Sequence, residues 1–102
     1  MFSGGSYDEV ARWLKMFVNS HAKRENPRLE VVLADEEARE NISYAARLVL
    51  GERTSPLMEF DYRTVAAHRG ELAWCMDLAR RVRREARALL AGSASDNVAS
   101  RP

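Results

Sequence analysis

Apolar residues spaced alternately three and four apart run from about residue 65 to residue 89, and no other feature constrains the fold as strongly. Side chains at this spacing lie along one face of an α-helix, and two helices pack side by side along such a face. The pattern predicts one long helix over residues 63–91. We interpret its apolar face as the seam of a homodimer, formed by Val65, His68, Leu72, Cys75, Ala79, Val82, Ala86 and Leu89.

The outer face of the same predicted helix is basic. Residues 63–91 hold 7 basic and 3 acidic side chains, a net charge of +4, whereas residues 1–62 hold 8 basic and 11 acidic ones, a net charge of −3. A basic helix beside an acidic body can pair within the molecule, across a dimer or with an outside polyanion. The candidate anion-binding residues are Arg80, Arg84 and Arg87.

Two features favour a self-paired surface over nucleic-acid binding for this arginine run. Asp77 and Glu85 lie four residues before and after Arg81, a spacing that lets the charges pair on one helix. Basic residues near the end of a helix also complement the helix dipole. A solvated, self-paired surface is therefore the favoured interpretation of the arginine run, and nucleic-acid binding is the alternative. A protein partner is possible for the module as a whole.

The composition indicates a single soluble domain. The chain has 102 residues, of which 46% are hydrophobic and 30% are charged. No apolar run approaches the roughly 18 residues needed to cross a bilayer, and the first residues lack the pattern of a secretory signal. Cys75 is the only cysteine, so no intrachain disulfide forms and nothing indicates an oxidising compartment. We expect a cytoplasmic protein without a membrane partner.

Upstream of the long helix, helix patterns and strand patterns alternate. Ser6 and Glu9 have capping-box spacing, which predicts a helix from about Tyr7 to Lys23 that stops before Asn26-Pro27. Alternation over residues 29–33 predicts a first strand. A second helix is predicted after Asp35, with Gly51 as its C-cap, and its apolar face comprises Ala38, Ile42, Ala45, Ala46 and Val49.

Strict alternation over residues 57–62 predicts a second strand with one wet face. The expected order is α-β-α-β-α, an α+β fold in which a right-handed crossover makes the two strands parallel. Two strands form a marginal sheet, which is a second reason to expect that dimerisation completes the fold. We expect a flexible N-terminus at residues 1–5, one domain at residues 6–91 and a disordered tail at residues 92–102.

An all-α helical bundle is the alternative fold. Asn26-Pro27 and Ser55-Pro56 can each serve as the N-cap and first residue of a helix. The apolar residues between them then share one helical face: Val31, Ala34, Ala38, Ile42, Ala45 and Val49.

Arg63 and His68 are separated by four residues. This spacing resembles the R-x4-H element of the HEPN ribonuclease family, all-helical domains that dimerise to assemble an RNA-cleaving site. The resemblance implies that Arg63 stabilises charge on a phosphate and that His68 transfers a proton. It covers six residues; Thr64 stands where that family commonly has asparagine, and Gly70 stands where it has tyrosine. We do not assign the chain to the family on this basis.

No other motif points to catalysis. His21 and His68 both fall on apolar helix faces, and no cluster of ligands has metal-site spacing, so we expect no metal and no cofactor. The sequence contains no glycine-rich phosphate loop after a strand and no nucleophile elbow. The expected function is a non-enzymatic homodimeric interaction or regulatory module, and the alternatives are nucleic-acid binding or a HEPN-like ribonuclease.

Overall fold

The computed structural model describes the backbone of residues 5–99 and the side chains of residues 5–92. Three helices and a four-stranded antiparallel sheet make up this part of the chain, so the predicted α+β class with a small sheet and a long C-terminal helix is confirmed. The all-α alternative is wrong. The elements are α1 (Tyr7–Glu25), β1 (Glu30–Leu33), a 3-10 turn (Glu37–Arg39), β2 (Ser43–Leu50), β3 (Arg53–Thr54), β4 (Met58–Asp61), α2 (Tyr62–His68) and α3 (Leu72–Ala99).

The first helix begins where the capping box predicts. The Ser6 side chain accepts a hydrogen bond from the Glu9 backbone N–H at 3.2 Å, which satisfies one of the free donors of the first turn. The helix ends at Glu25, and Asn26 takes an extended conformation before Pro27. Its buried face comprises Val10, Leu14, Val18 and Ala22, at the four-residue spacing of a single helical ridge.

The predicted second helix is wrong, because Glu37–Arg39 form only a 3-10 turn and Ser43–Leu50 form β2. This strand lies at the centre of the sheet, between β1 on one edge and β3 and β4 on the other. Its consecutive residues Tyr44, Ala45 and Ala46 are all buried, so this part of the strand is apolar on both faces. A short run of this kind resembles a helical face in the sequence. Gly51 occupies the turn between β2 and β3 with φ +64°, and it does not cap a helix.

The predicted parallel pairing is also wrong. With β2 inserted between the two predicted strands, β1 and β4 each pair with β2 in antiparallel register. Val32 lies opposite Arg47 on one side, and Tyr44 lies opposite Phe60 on the other. Antiparallel neighbours need only short turns, so no crossover helix is required.

The long helix predicted over residues 63–91 is two helices. Asp61 caps α2 by accepting a hydrogen bond from the Thr64 backbone N–H at 3.0 Å. This helix ends at His68, Arg69 and Gly70 form a turn, and α3 begins at Leu72. The apolar spacing continues through the turn, and Gly70 lies at the break between the two helices.

The helices α1 and α3 pack on one face of the sheet and form a single core with it. Strand residues of alternating position face this core, including Val31, Leu48 and Phe60, whereas Val32 and Glu59 point to the opposite face and are exposed. Trp13 of α1 lies beside Trp74 of α3, and Glu25 lies beside Arg83, so the two helices run in the same direction.

The predicted domain bounds remain a prediction. Residues 1–4 of the predicted flexible N-terminus lie outside the described residues. The predicted tail at residues 92–102 starts inside α3, whose backbone continues to Ala99; the side chains of residues 93–99 and residues 100–102 lie outside the described part.

Candidate anion-binding site

Four arginine side chains of α3 line one open groove. The groove has a volume of 410 Å³ and brings the predicted residues together with a further arginine, in the set Arg80, Arg83, Arg84 and Arg87. Spacings of three and four residues place these side chains on one face of the helix. Arg81 belongs to another face, since its guanidinium lies over the Phe60 ring, 5.0 Å from the ring centroid.

Glu25, the last residue of α1, connects that helix to the groove. Its carboxylate accepts hydrogen bonds from Nε of Arg83 at 2.7 Å and from Nε of Arg87 at 3.0 Å. The Glu25 side chain is 13% exposed, whereas those of Arg83 and Arg87 are 43% and 62% exposed. Hydrogen bonds from Arg87 and then from Arg83 lower the pKa of Glu25, so it is held as an anion.

The remaining two groove arginines are more open to solvent. Arg80 pairs with Asp77 one turn earlier on α3 at 2.7 Å, and both side chains are about two-thirds or more exposed (66% and 75%). Arg84 is exposed and forms no hydrogen bond or ion pair with the part of the chain that the structure describes. The four arginines are paired with two carboxylates, those of Asp77 and Glu25, so the groove keeps a net positive charge.

His21 lies one turn before Glu25 on the same row of α1. Burial lowers the pKa of its imidazole, and the positive charges of Arg24 and Arg83 lower this pKa further. Its Nδ1 atom is buried and has no hydrogen-bond partner among the described residues. The ring is therefore held neutral near physiological pH.

A row of aromatic rings follows α1 toward Glu25 and includes one ring from α2 and one from α3. On α1, Trp13 stacks on Phe17 with ring centroids 5.0 Å apart, and Phe17 contacts His21 at 4.5 Å. Trp74 lies 6.3 Å from Trp13, and His68 stacks on Trp74 at 6.1 Å. We call these five residues the aromatic row: His68, Trp74, Trp13, Phe17 and His21.

The predicted dimer seam is divided between the core and the surface. Val65, Val82 and Ala86 have no exposed surface and Leu89 is 9% exposed, because they pack against the chain's own helices and sheet. These residues cannot contact a second chain, so the interpretation of them as a dimer seam is corrected. The other seam positions are more open: Leu72 is 76% exposed, and His68, Cys75 and Ala79 are half-buried.

Arg63 and His68, the candidate catalytic pair, both lie on α2. Five residues of α-helix correspond to a rotation of about 140°, so the two side chains leave the helix in different directions. The His68 imidazole interacts with Glu71 at 3.0 Å and stacks on Trp74. The four-stranded sheet also differs from the all-helical fold that the HEPN resemblance implies.

Two other clefts carry less distinctive chemistry. One cleft of 280 Å³ between β4 and α3 has Phe60 and Trp74 in its lining, and its carboxylates already cap α2 or pair with arginines. A second of 350 Å³ lies between α1 and β2 and is rich in carboxylates. Within residues 5–92, no group of three or more histidine, cysteine or carboxylate side chains is arranged to hold a metal ion.

Comparisons with known proteins find no match: no family model, no curated protein and no solved structure is similar to this chain. In the described part of the chain, no helix combines the length and the apolar character needed to cross a bilayer.

Proposed function

We propose that this protein is a non-enzymatic module that binds nucleic acid by its phosphates. The observation that carries the proposal is the groove in which four guanidinium groups from one helix face solvent together. A guanidinium presents a planar fork of donors that matches a phosphate, so arginine is the residue best suited to such a contact.

The ion pairs already present leave this groove able to bind an anion. The pair between Arg80 and Asp77 is exposed, and pairs of this kind contribute about 0–1 kcal/mol, so a phosphate can replace the carboxylate at little cost. Arg84 forms no ion pair with the described residues, so a phosphate can bind it without displacing a carboxylate. Arg83 and Arg87 keep free donors while bound to Glu25, since each guanidinium has five.

The test measures the fluorescence anisotropy of a labelled thymidine oligonucleotide of about 15 nucleotides, a length within the site sizes of single-strand binders. Four phosphate contacts predict a slope of log K against log salt of about −3. The double substitution Arg80→Glu with Arg84→Glu is expected to abolish this salt-sensitive binding. It leaves the Glu25 contacts of Arg83 and Arg87 in place, so the fold is preserved.

The matched control is Arg12→Glu with Arg47→Glu, which changes the net charge by the same amount outside the groove. Arg12 is exposed on α1, and Arg47 lies on β2 directly opposite Val32, on the face of the sheet that points away from the helices. Unchanged binding is expected for this control. Equal loss in both double variants would show that binding follows net charge and would reject the groove.

We further propose that the protein is a cytoplasmic homodimer with room for a protein partner, as the sequence predicts. Support for a protein contact comes from two apolar side chains one turn apart at the start of α3, Leu72 and Met76, which are 76% and 47% exposed. The single cysteine, Cys75, supports a reducing compartment.

A further inference from the structure

The α1 rings of the aromatic row lead to the arginine groove through Glu25. On α1, the residues Trp13, Phe17, His21 and Glu25 follow one another at four-residue spacing, which places them along a single ridge. The first three carry the rings, and the fourth binds Arg83 and Arg87. A ligand that lies along the ridge therefore meets aromatic rings first and guanidinium groups next.

The rings are fixed in place and still reach solvent. Trp13, Phe17 and Trp74 pack against the buried core on one side, and all three are half-buried. The His68 side chain at the far end of the row is 42% exposed. Rings held by core packing lose little conformational entropy when a planar ligand stacks on them.

We infer that the ligand is a single-stranded nucleic acid whose bases stack on the aromatic row while its phosphates occupy the arginine groove. This inference rests on the proposed function and adds the substrate class. Single-strand binders combine a positive groove with aromatic side chains, because unpaired bases expose π-faces that a duplex hides. A ligand that offered phosphates alone would gain nothing from the rings.

The length of the surface suits a short segment of strand. From Trp13 to Glu25, α1 rises by about 18 Å at about 1.5 Å per residue. That distance corresponds to about five nucleotides at the spacing of about 3.4 Å per nucleotide found along one strand of a duplex.

The experiment uses the chain's own tryptophans as the reporter. Both tryptophans, Trp13 and Trp74, belong to the aromatic row, so stacked bases are expected to quench the intrinsic fluorescence. Three probes are titrated: a thymidine oligonucleotide of about 15 nucleotides, a duplex of the same length, and long-chain inorganic polyphosphate. We expect quenching with the oligonucleotide, little with the duplex and none with polyphosphate.

Two substitutions separate the rings from the charges. Trp13→Leu and Phe17→Leu are each expected to weaken oligonucleotide binding by about tenfold while leaving polyphosphate binding unchanged. The matched control is Tyr7→Leu, which removes another half-buried ring of α1 that stacks on Tyr44, away from the row. Circular dichroism of each variant checks that it is folded.

The outcomes distinguish the two proposals. If the duplex binds as tightly as the single strand and both leucine variants bind like wild type, the inference is overturned while the groove proposal stands. If none of the three probes binds, the proposed function fails and the inference falls with it. If Tyr7→Leu weakens binding as much as Trp13→Leu, the effect comes from lost packing, and stacking on the row is rejected.

Discussion

Ser55 shows how a single side chain completes the sheet where the backbone cannot. It is the buried polar residue of the described core, at 5% exposure. Its hydroxyl oxygen accepts a hydrogen bond from the Leu48 backbone N–H at 2.8 Å, and its own N–H donates to the Leu48 carbonyl at 2.9 Å. Ser55 therefore holds the irregular segment between β3 and β4 against β2, at a point where the following Pro56 has no N–H for a ladder.

Substitution of Ser55 by alanine leaves the buried N–H of Leu48 without an acceptor. We expect Ser55→Ala to lower the free energy of unfolding by about 1–3 kcal/mol, the usual cost of a buried unsatisfied donor. Urea denaturation measures it. The control Ser20→Ala, on the exposed face of α1, is expected to change stability by less than about 0.5 kcal/mol. Equal stability of the two variants would contradict the role of Ser55.

At the scale of elements, two glycines occupy turns with different backbone requirements. Gly51 joins β2 to β3 at φ +64°, a region that costs an L-residue about 1–2 kcal/mol. Gly70 lies between α2 and α3 outside that region, and a Cβ there would meet no atom within 4 Å. The need for glycine is therefore a property of the β2–β3 turn and not of the helix junction.

Alanine at these two positions is expected to act in opposite directions. Gly51→Ala should destabilise the protein by about 1 kcal/mol through backbone strain, while Gly70→Ala should be neutral or stabilise it by up to about 1 kcal/mol by restricting the unfolded chain. Paired thermal and urea unfolding curves measure the difference. A stabilised Gly51→Ala variant would mean that the turn does not need a positive φ.

The contact between Glu25 and two arginines of α3 should make the packing of α1 depend on pH. Because the pKa of Glu25 is lowered from its ordinary value of 4.5, the ion pairs contribute fully above that value and are lost as the pH falls through the lowered pKa. Glu25→Gln is therefore expected to be less stable than wild type near about pH 7, and the difference is expected to shrink as the pH falls below 4.5.

Urea midpoints across this pH range test the prediction, with Glu52→Gln in the exposed β2–β3 turn as the control. The control is expected to follow the wild-type curve throughout. A constant difference between Glu25→Gln and wild type at all pH values would show that the ion pairs do not hold α1 to α3.

Elements with a local chemical signal could be predicted from sequence, and β2 could not. The Ser6 cap marks the start of α1, and strict alternation marks β4. The residues of β2 include the adjacent alanines Ala45 and Ala46, whose small side chains suit a helix and a buried strand equally well. Its conformation is decided by pairing with β1 and β4, which the local pattern of β2 does not contain, so tertiary contacts override that pattern.

The arginine groove could be predicted in part, because its residues lie close together in the sequence. Arg80, Arg84 and Arg87 lie on one helix, and their spacing alone places them together. The sequence of α3 alone could not predict that α1 packs beside that face. One signal was present in the sequence, since Trp13, Phe17, His21 and Glu25 form a four-residue ladder whose last member is charged and whose first three are rings.

For the whole molecule, the apolar spacing of residues 65–89 is used chiefly within the chain. Apolar residues at helical spacing indicate that something packs against the helix. They do not indicate whether the packing element belongs to the same chain or to a second one. In the structure, α1 and the sheet cover Val82 and Ala86 completely, while Leu72 lies beyond the covered region. Substitutions at the core positions and at the surface positions of the predicted seam are therefore expected to have different effects.

Glutamate at these two seam positions separates folding from association. Val82→Glu places an unpaired charge in a site with no exposed surface, so we expect the variant to be unfolded by circular dichroism. Leu72→Glu changes a side chain that is 76% exposed, so we expect it to fold with wild-type stability. Sedimentation velocity of the folded variant then tests the proposed homodimer, which is expected to dissociate if Leu72 and Met76 lie in its interface. A Leu72→Glu variant that remains a dimer would place the interface elsewhere. A wild-type protein that is monomeric would reject the proposed homodimer. Neither result would affect the assignment of Val82 to the core.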